Sequence, residues 1–392
     1  MGLVASPAES RLFKPIKIGG AQLQHRVVLA PLTRLRNTDS YTPVVPLALK
    51  HYADRASVPG TLVISEATFI SHDEEVQAHI PGFESDEQVA AWKQVIEAVH
   101  SKGSVWFQQL WAVGRAADPD FIAKKGIKYR SASAVPLEGS SAVPAEMTEA
   151  EILDTIQAFV DTAKRVRAAG GDGVEIHGAH GYLLDQFLSD AVNKRTDKWG
   201  GSVEKRARLY LEVVKAISAA IGPEHVGLRL SPYASYQGTA KSDPVAQYSY
   251  LVRELRELDL PLAYISLVEA RGDPATLGLA PEAQLAPHKG KTLDFILDIW
   301  DNRSPVLIGG GYEPETAVQA VDGHYTQWDV LIVFGRHFLA NPDLPFRVRH
   351  GLALNQYDRN TFYTNSAAGY NDYPFSDEFM GAKNKSVAVK KL

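Results

Sequence analysis

The chain has 392 residues, 45% of them hydrophobic and 22% charged, ordinary proportions for a globular protein and unlike disordered or fibrous sequences. Its 41 basic and 46 acidic residues leave a formal net charge of −5, too mild to single out nucleic acid or an anionic membrane surface as a partner. There is no cysteine, which excludes disulfides, Cys-ligated zinc, iron–sulfur clusters and a thiol nucleophile while leaving the compartment open.

Residues 1–6 fit the loose myristoylation pattern M-G-x-x-x-[ST], but no basic cluster follows to supply a second anchoring signal, so we read the match as chance. No charged segment followed by an apolar core marks a secretory signal. No apolar run approaches about 18 residues, so no membrane span is expected and the location is read as cytoplasmic. The stretch 12–24, with Gly19-Gly20 at its centre, predicts a β-hairpin that closes the bottom of the fold.

Short, nearly continuous apolar runs then recur at 25–31, 61–66, 105–110, 172–177, 225–230, 262–267, 304–309 and 329–334. Such runs suit parallel strands covered by other elements. Between them lie helical patterns with start signals. Ser85-Asp86-Glu87-Gln88 and Thr148-Glu149-Ala150-Glu151 fit capping boxes, and Asp243-Pro244 and Glu313-Pro314 place proline in a first turn. Gly170-Gly171 and Gly222-Pro223 mark helix ends. Eight strands alternating with helices predict an α/β fold, a (β/α)₈ TIM barrel with an N-terminal β-hairpin lid, forming one domain over 1–392. An open doubly wound sheet is the competing arrangement. The stretch 115–147, after the third strand, is too long for an ordinary connection and is read as an active-site cover.

In a barrel of this kind, working residues sit at the C-terminal ends of strands. Gly309-Gly310-Gly311 and Gly335-Arg336 follow the seventh and eighth strands, where phosphate sites are common, and they favour a ligand with one terminal phosphate. Two tight turns with Arg336 paired to a carboxylate are the plain alternative. His177 and His180, three apart, have three readings: metal ligands, structural histidines, or two donors aimed at one oxygen. The last is favoured, because such donors would polarise a carbonyl and stabilise an enolate. Tyr182 stays protonated at neutral pH and can deliver a proton, although a tyrosine in an apolar site is often mere packing. Arg229 ends an apolar strand and needs an anionic or acceptor-rich partner. Gln109 suits the edge of a heterocycle, and Thr33 offers a hydroxyl to a ring oxygen or nitrogen.

Ala30-Pro31-Leu32-Thr33-Arg34, the segment HGAHGYLLDQFL from His177, and Asn193-Lys194-Arg195-Thr196-Asp197 with Trp199-Gly200-Gly201-Ser202 form a specific set. So do Phe334-Gly335-Arg336, Asn341-Pro342-Asp343-Leu344, Tyr357-Asp358-Arg359 and Thr361-Phe362-Tyr363. Through nearly its whole length the chain resembles the Old Yellow Enzyme family of flavin-dependent ene-reductases. The resemblance implies non-covalent FMN over the barrel mouth. Thr33 would bond the flavin near C4 and N5, Pro31 and Ala67 would line its ring, and Gln109 would pair with the pyrimidine edge. Arg229 would face the N1/O2 side, and Gly310, Gly311, Gly335 and Arg336 would hold the phosphate. His177 and His180 would bind the substrate carbonyl, Tyr182 would protonate the α-carbon, and Tyr363 would shape the pocket. One branch has Asn where this chain has His180, so the chain resembles the His/His group.

The implied activity is NAD(P)H-dependent reduction of the C=C bond in an enone, enal or nitroalkene, with NADPH as donor and NADH possible. The alternative is a flavin enzyme of secondary metabolism whose net reaction is isomerisation or cyclisation. The partner is a small molecule rather than nucleic acid or membrane, and the protein is expected as a monomer or homodimer, with no metal.

Overall fold

The computed structural model describes residues 7–272 and 289–389; the N-terminal pattern at 1–6 lies outside the described residues. Strands β1 (Ile16–Ile18) and β2 (Ala21–Leu23) form the expected antiparallel hairpin around Gly19-Gly20. Its side chains Ile16, Ile18 and Leu23 are buried in an apolar cluster with Val28, Leu62, Val105, Ala263, Leu307 and Leu331. Those partners stand at or near the starts of the barrel strands, so the hairpin plugs the N-terminal end.

The wall consists of β3 (Val27–Leu29), β4 (Leu62–Ile64), β6 (Val105–Trp111), β9 (Gly173–Gly178), β10 (Val226–Leu230), β11 (Tyr264–Val268), β12 (Val306–Gly309) and β13 (Val330–Phe334). All eight expected strands are present, paired in parallel, and β13 returns to β3 with Phe334 opposite Leu29. The short strand β5 (Thr68–Phe69) continues beside the end of β6. The closed ladder excludes the open doubly wound sheet. Both expected capping boxes form: Ser85 accepts from the Gln88 N–H and Thr148 from the Glu151 N–H, while each partner side chain reaches back. Asp243 caps the helix Pro244–Glu257, and Gly222, at φ +90°, ends the helix Val203–Ile221.

The stretch 115–147 is folded rather than a plain loop. It carries a short helix, Pro119–Lys124, and the two-residue parallel strands β7 (Arg130–Ser131) and β8 (Ala145–Glu146). The buried Arg115 guanidinium fastens it, donating to the carbonyls of Val135, Pro136, Gln237 and Gly238 at 2.8–3.2 Å. A separate apolar cluster at the C-terminal end of the barrel includes Ala67, Trp111, Val113, Ile122 and, partly buried, Tyr182. Hydrophobic packing therefore fixes the frame on which the strand ends stand. Among the described residues, no helix is long and apolar enough to cross a membrane.

Candidate active site

Register sets the site. His177 lies beside Arg229 on neighbouring strands, and Gln109 lies beside Glu175. His177 is buried, and its Nδ1 accepts the Ala179 N–H at 3.4 Å, which leaves the proton on Nε2. Burial, then the Arg229 charge, hold this imidazole well below its usual pKa and therefore neutral. The turn that follows carries His180 at φ +55° and Gly181 at φ +79°. The His180 N–H donates to Ser231 Oγ at 2.8 Å, while its buried Nε2 has no partner. Burial, Arg229 and Lys241 keep His180 neutral as well.

The two imidazole rings are 6.0 Å apart at 85°, and the Tyr182 ring stands edge-on to His177 at 5.0 Å and to Trp111 at 4.9 Å. Burial raises the Tyr182 pKa above the ordinary phenol value, the neighbouring Tyr236 adds to this, and a side-chain hydrogen bond with Gln237 opposes it. The phenol is thus protonated throughout the physiological range. Tyr363 is 67% exposed, and its ring stands edge-on to Phe362 at 6.4 Å.

Below these residues lies a polar cluster inside the barrel. Glu175 is fully buried; it accepts from Gln109 Nε2 at 2.7 Å and from the Tyr264 hydroxyl at 3.1 Å. Burial raises its pKa and the Arg229 charge lowers it. The Tyr264 ring crosses the space over Gly227, where any Cβ would collide with it. Arg229 has a buried Nε without a partner. Gln109, expected to face a heterocycle, has one amide N–H committed to Glu175 and keeps its carbonyl.

Gly310 and Gly311 follow β12. Gly311 has φ +71°, and a Cβ there would lie 3.6 Å from Arg336 Nη2, so the Gly311 turn and the Arg336 guanidinium are neighbours. A Cβ on Gly310 would meet Glu269 Oε2 at 2.5 Å, but that carboxylate is committed to Arg271 and to the hydroxyls of Tyr312 and Tyr325. Arg336 donates to the Tyr357 hydroxyl at 3.3 Å and lies 5.5 Å from its ring centroid. Among the described residues it has no carboxylate ion pair. Gly335 precedes it at the end of β13. Pro31 and Thr33 follow β3 and are half-buried, and Ala67 is buried between β4 and β5.

A family model described as the NADH:flavin oxidoreductase / NADH oxidase family matches residues 11–355. The chain belongs to this family, the Old Yellow Enzymes. Old Yellow Enzyme from Pichia sp. AKU4542 superposes with a TM-score of 0.84 at 39% identity, covering 94% of this chain and 95% of that one. "Aldehyde reductase FrzD" of a Cladobotryum species is 44% identical over 97% of this chain and 99% of its own length. The "Probable inactive dehydrogenase easA" of Claviceps fusiformis is 42% identical over 97% and 99%. The chain is thus an Old Yellow Enzyme family flavin oxidoreductase with relatives that differ in activity.

In this Old Yellow Enzyme family member, several residues grouped around the candidate site escaped sequence reasoning: Glu175, Tyr264, Tyr236 and Gln237. Glu175 carries a usable signal, a carboxylate inside the buried strand GVEIHG with an arginine on the next strand. Tyr236 and Gln237 lie in a loop whose approach to Tyr182 is a long-range event with no local signature.

Proposed function

We propose that this flavin oxidoreductase is an NAD(P)H-dependent ene-reductase that binds FMN non-covalently and reduces the activated C=C bond of α,β-unsaturated aldehydes and ketones. The observation that carries the proposal is the grouping of two neutral imidazoles with a protonated phenol: the His177 tautomer exposes an Nε2–H, His180 has an unpartnered Nε2, and Tyr182 stands beside them. The residues fit FMN. Arg229 has an unpartnered buried Nε suited to an electron-rich ring edge, and Gln109 keeps a carbonyl for the same edge. Thr33, Pro31 and Ala67 would meet the ring system, while Gly310, Gly311, Gly335 and Arg336 would hold the phosphate, with Gly311 leaving the backbone open to close approach.

Bound FMN would supply the two-electron hydride chemistry that links a reduced nicotinamide, NADPH or NADH, to the substrate β-carbon. His177 and His180 donate to the substrate carbonyl oxygen, where negative charge develops; one such aimed donor is worth about 2.7–4 kcal/mol. Their neutrality matters, because an imidazole held without charge can donate in a dry pocket without paying a further desolvation cost. Tyr182 gives its proton to the α-carbon, and its raised pKa keeps that proton in place until the enolate forms. Trp111 packs edge-on against the phenol ring at 4.9 Å. Tyr363 would shape the open side of the substrate pocket. The aldehyde reductase name of FrzD supports an enal among the first substrates to assay. Tyr182→Phe is expected to leave reduction by NADPH intact and to slow enone reduction by about 10²–10⁴-fold, read in separate half-reactions. Unchanged enone turnover would remove Tyr182 from the proton-donor role.

A further inference from the structure

We infer that Asp185 is a positioning residue that, together with Lys241, fixes the peptide between His180 and Tyr182 and thereby aims both side chains. The inference rests on the ene-reductase reading above. Asp185 sits on the short helix Leu183–Leu188, is fully buried, and makes no hydrogen bond to the imidazoles or the phenol among the described residues. Four donors converge on its carboxylate. The Gly181 N–H at 2.9 Å and the Thr239 hydroxyl at 3.2 Å reach Oδ2; Lys241 Nζ at 2.5 Å and the Tyr248 hydroxyl at 3.0 Å reach Oδ1. The other end of the Gly181 residue is held too, since Gln186 Nε2 donates to its carbonyl at 2.8 Å.

This clamp grips an unusual turn. His180 and Gly181 are consecutive left-handed residues, and one of them is not glycine, a conformation that persists only where the surroundings impose it. The same carboxylate holds the opposing wall. Thr239 and Lys241 belong to the loop after β10, which also carries Gln237, the hydrogen-bond partner of Tyr182. That loop presses on Gly181 closely enough that a Cβ there would meet the Tyr236 carbonyl oxygen at 2.7 Å. Asp185 therefore fastens both the turn that bears the proton donor and the loop that touches it. Its partner Lys241 is itself buried, with a side chain 2% exposed. A buried ion pair is a poor source of stability compared with apolar packing, so its location under this turn points to orientation as its role.

The test uses flavin-loaded Asp185→Ala, and the double variants Asp185→Asn with Lys241→Met and Asp185→Ala with Lys241→Met. Asparagine keeps an acceptor for the Gly181 N–H, and methionine removes the cation that would otherwise be left unpaired. Each protein is reduced anaerobically, then reoxidised either by an enone or by dioxygen, which needs neither the aimed donors nor Tyr182. Asp185→Ala should slow reoxidation by the enone about 10–100-fold and leave that by dioxygen within about twofold. The asparagine–methionine pair should recover most of the enone rate, and the alanine–methionine pair should not. Equal enone rates in the two double variants, or parallel losses with enone and dioxygen, would overturn the positioning role. Amide hydrogen exchange in the peptide spanning Gly181 gives a readout independent of turnover. It should quicken in both alanine variants and stay near wild type in the asparagine–methionine pair; unchanged exchange in the alanine variants would overturn the clamp. If no enone reoxidises the wild-type protein, the ene-reductase reading fails while exchange still decides the clamp.

Discussion

Tyr182 keeps its proton because burial disfavours the phenolate, and His177 and His180 stay neutral because burial disfavours the imidazolium. One dry environment thus keeps all three groups neutral, as the proposed donor pair and proton source require. These three residues were legible in the sequence, because they follow a strand end in a recognisable segment. Glu175 was overlooked: a fully buried parallel strand shows no alternation that separates its two faces, and only the carboxylate itself within the apolar run signals it. Its charge bears on the flavin that we place beside Arg229. Glu175→Gln removes a negative charge near the arginine, so the guanidinium should stabilise reduced, anionic flavin more strongly. The flavin midpoint potential should rise by about 30 mV, equal to about 1.4 kcal/mol for a two-electron couple, in dye-equilibration measurements. A lower or unchanged potential would contradict this electrostatic coupling.

Strand and helix identities were readable, because apolar runs, capping boxes and first-turn prolines are local signals. The contents of 115–147 were less so: a six-residue helix and two-residue strands fall below the length at which periodicity speaks, and Arg115 gains its meaning only from carbonyls on distant loops. The spacing between strands was equally hidden. Gly227 lies between Glu175 and Tyr264 in register, and its missing side chain is what lets the tyrosine hydroxyl reach across β10. Gly227→Ala should push the Tyr264 ring off Glu175 and destabilise the protein by about 1–3 kcal/mol, measured by urea unfolding. Wild-type stability in that variant would mean that the ring has room to move, and that the crossing is incidental.

Over the whole molecule, the barrel closes early and late segments onto one mouth, and buried arginines tie the C-terminal region to it. Arg34 and Arg36 donate to carbonyls of Thr361 and Phe362, Arg34 also to that of Gly369, and Arg36 to those of Ser366 and Ala368. Arg55 donates to the Tyr370 carbonyl. No local pattern could reveal contacts spanning more than 300 residues, although the family resemblance drew Arg34 and Tyr363 into the same motif set. Glu66 sits buried among these cations, and burial pushes its pKa from 4.5 to about 7. Between those values the folded protein holds a proton that the unfolded chain has lost, so this group's contribution to stability falls as pH rises from 4.5 through 7. Glu66→Gln should therefore gain about 3 kcal/mol relative to wild type between acid pH and pH above 7, read from urea unfolding across pH. A pH-independent difference would show that Glu66 does not titrate in this range.

An anaerobic titration of the FMN-loaded protein with NADPH, followed by an enal or enone, decides whether the enzyme reduces the alkene at the expense of nicotinamide. NADPH should bleach the oxidised flavin colour, the alkene should restore it, and saturated product and oxidised nicotinamide should form in equal amounts. A flavin that NADPH cannot reduce, or product formed without net consumption of nicotinamide, would contradict the ene-reductase reading.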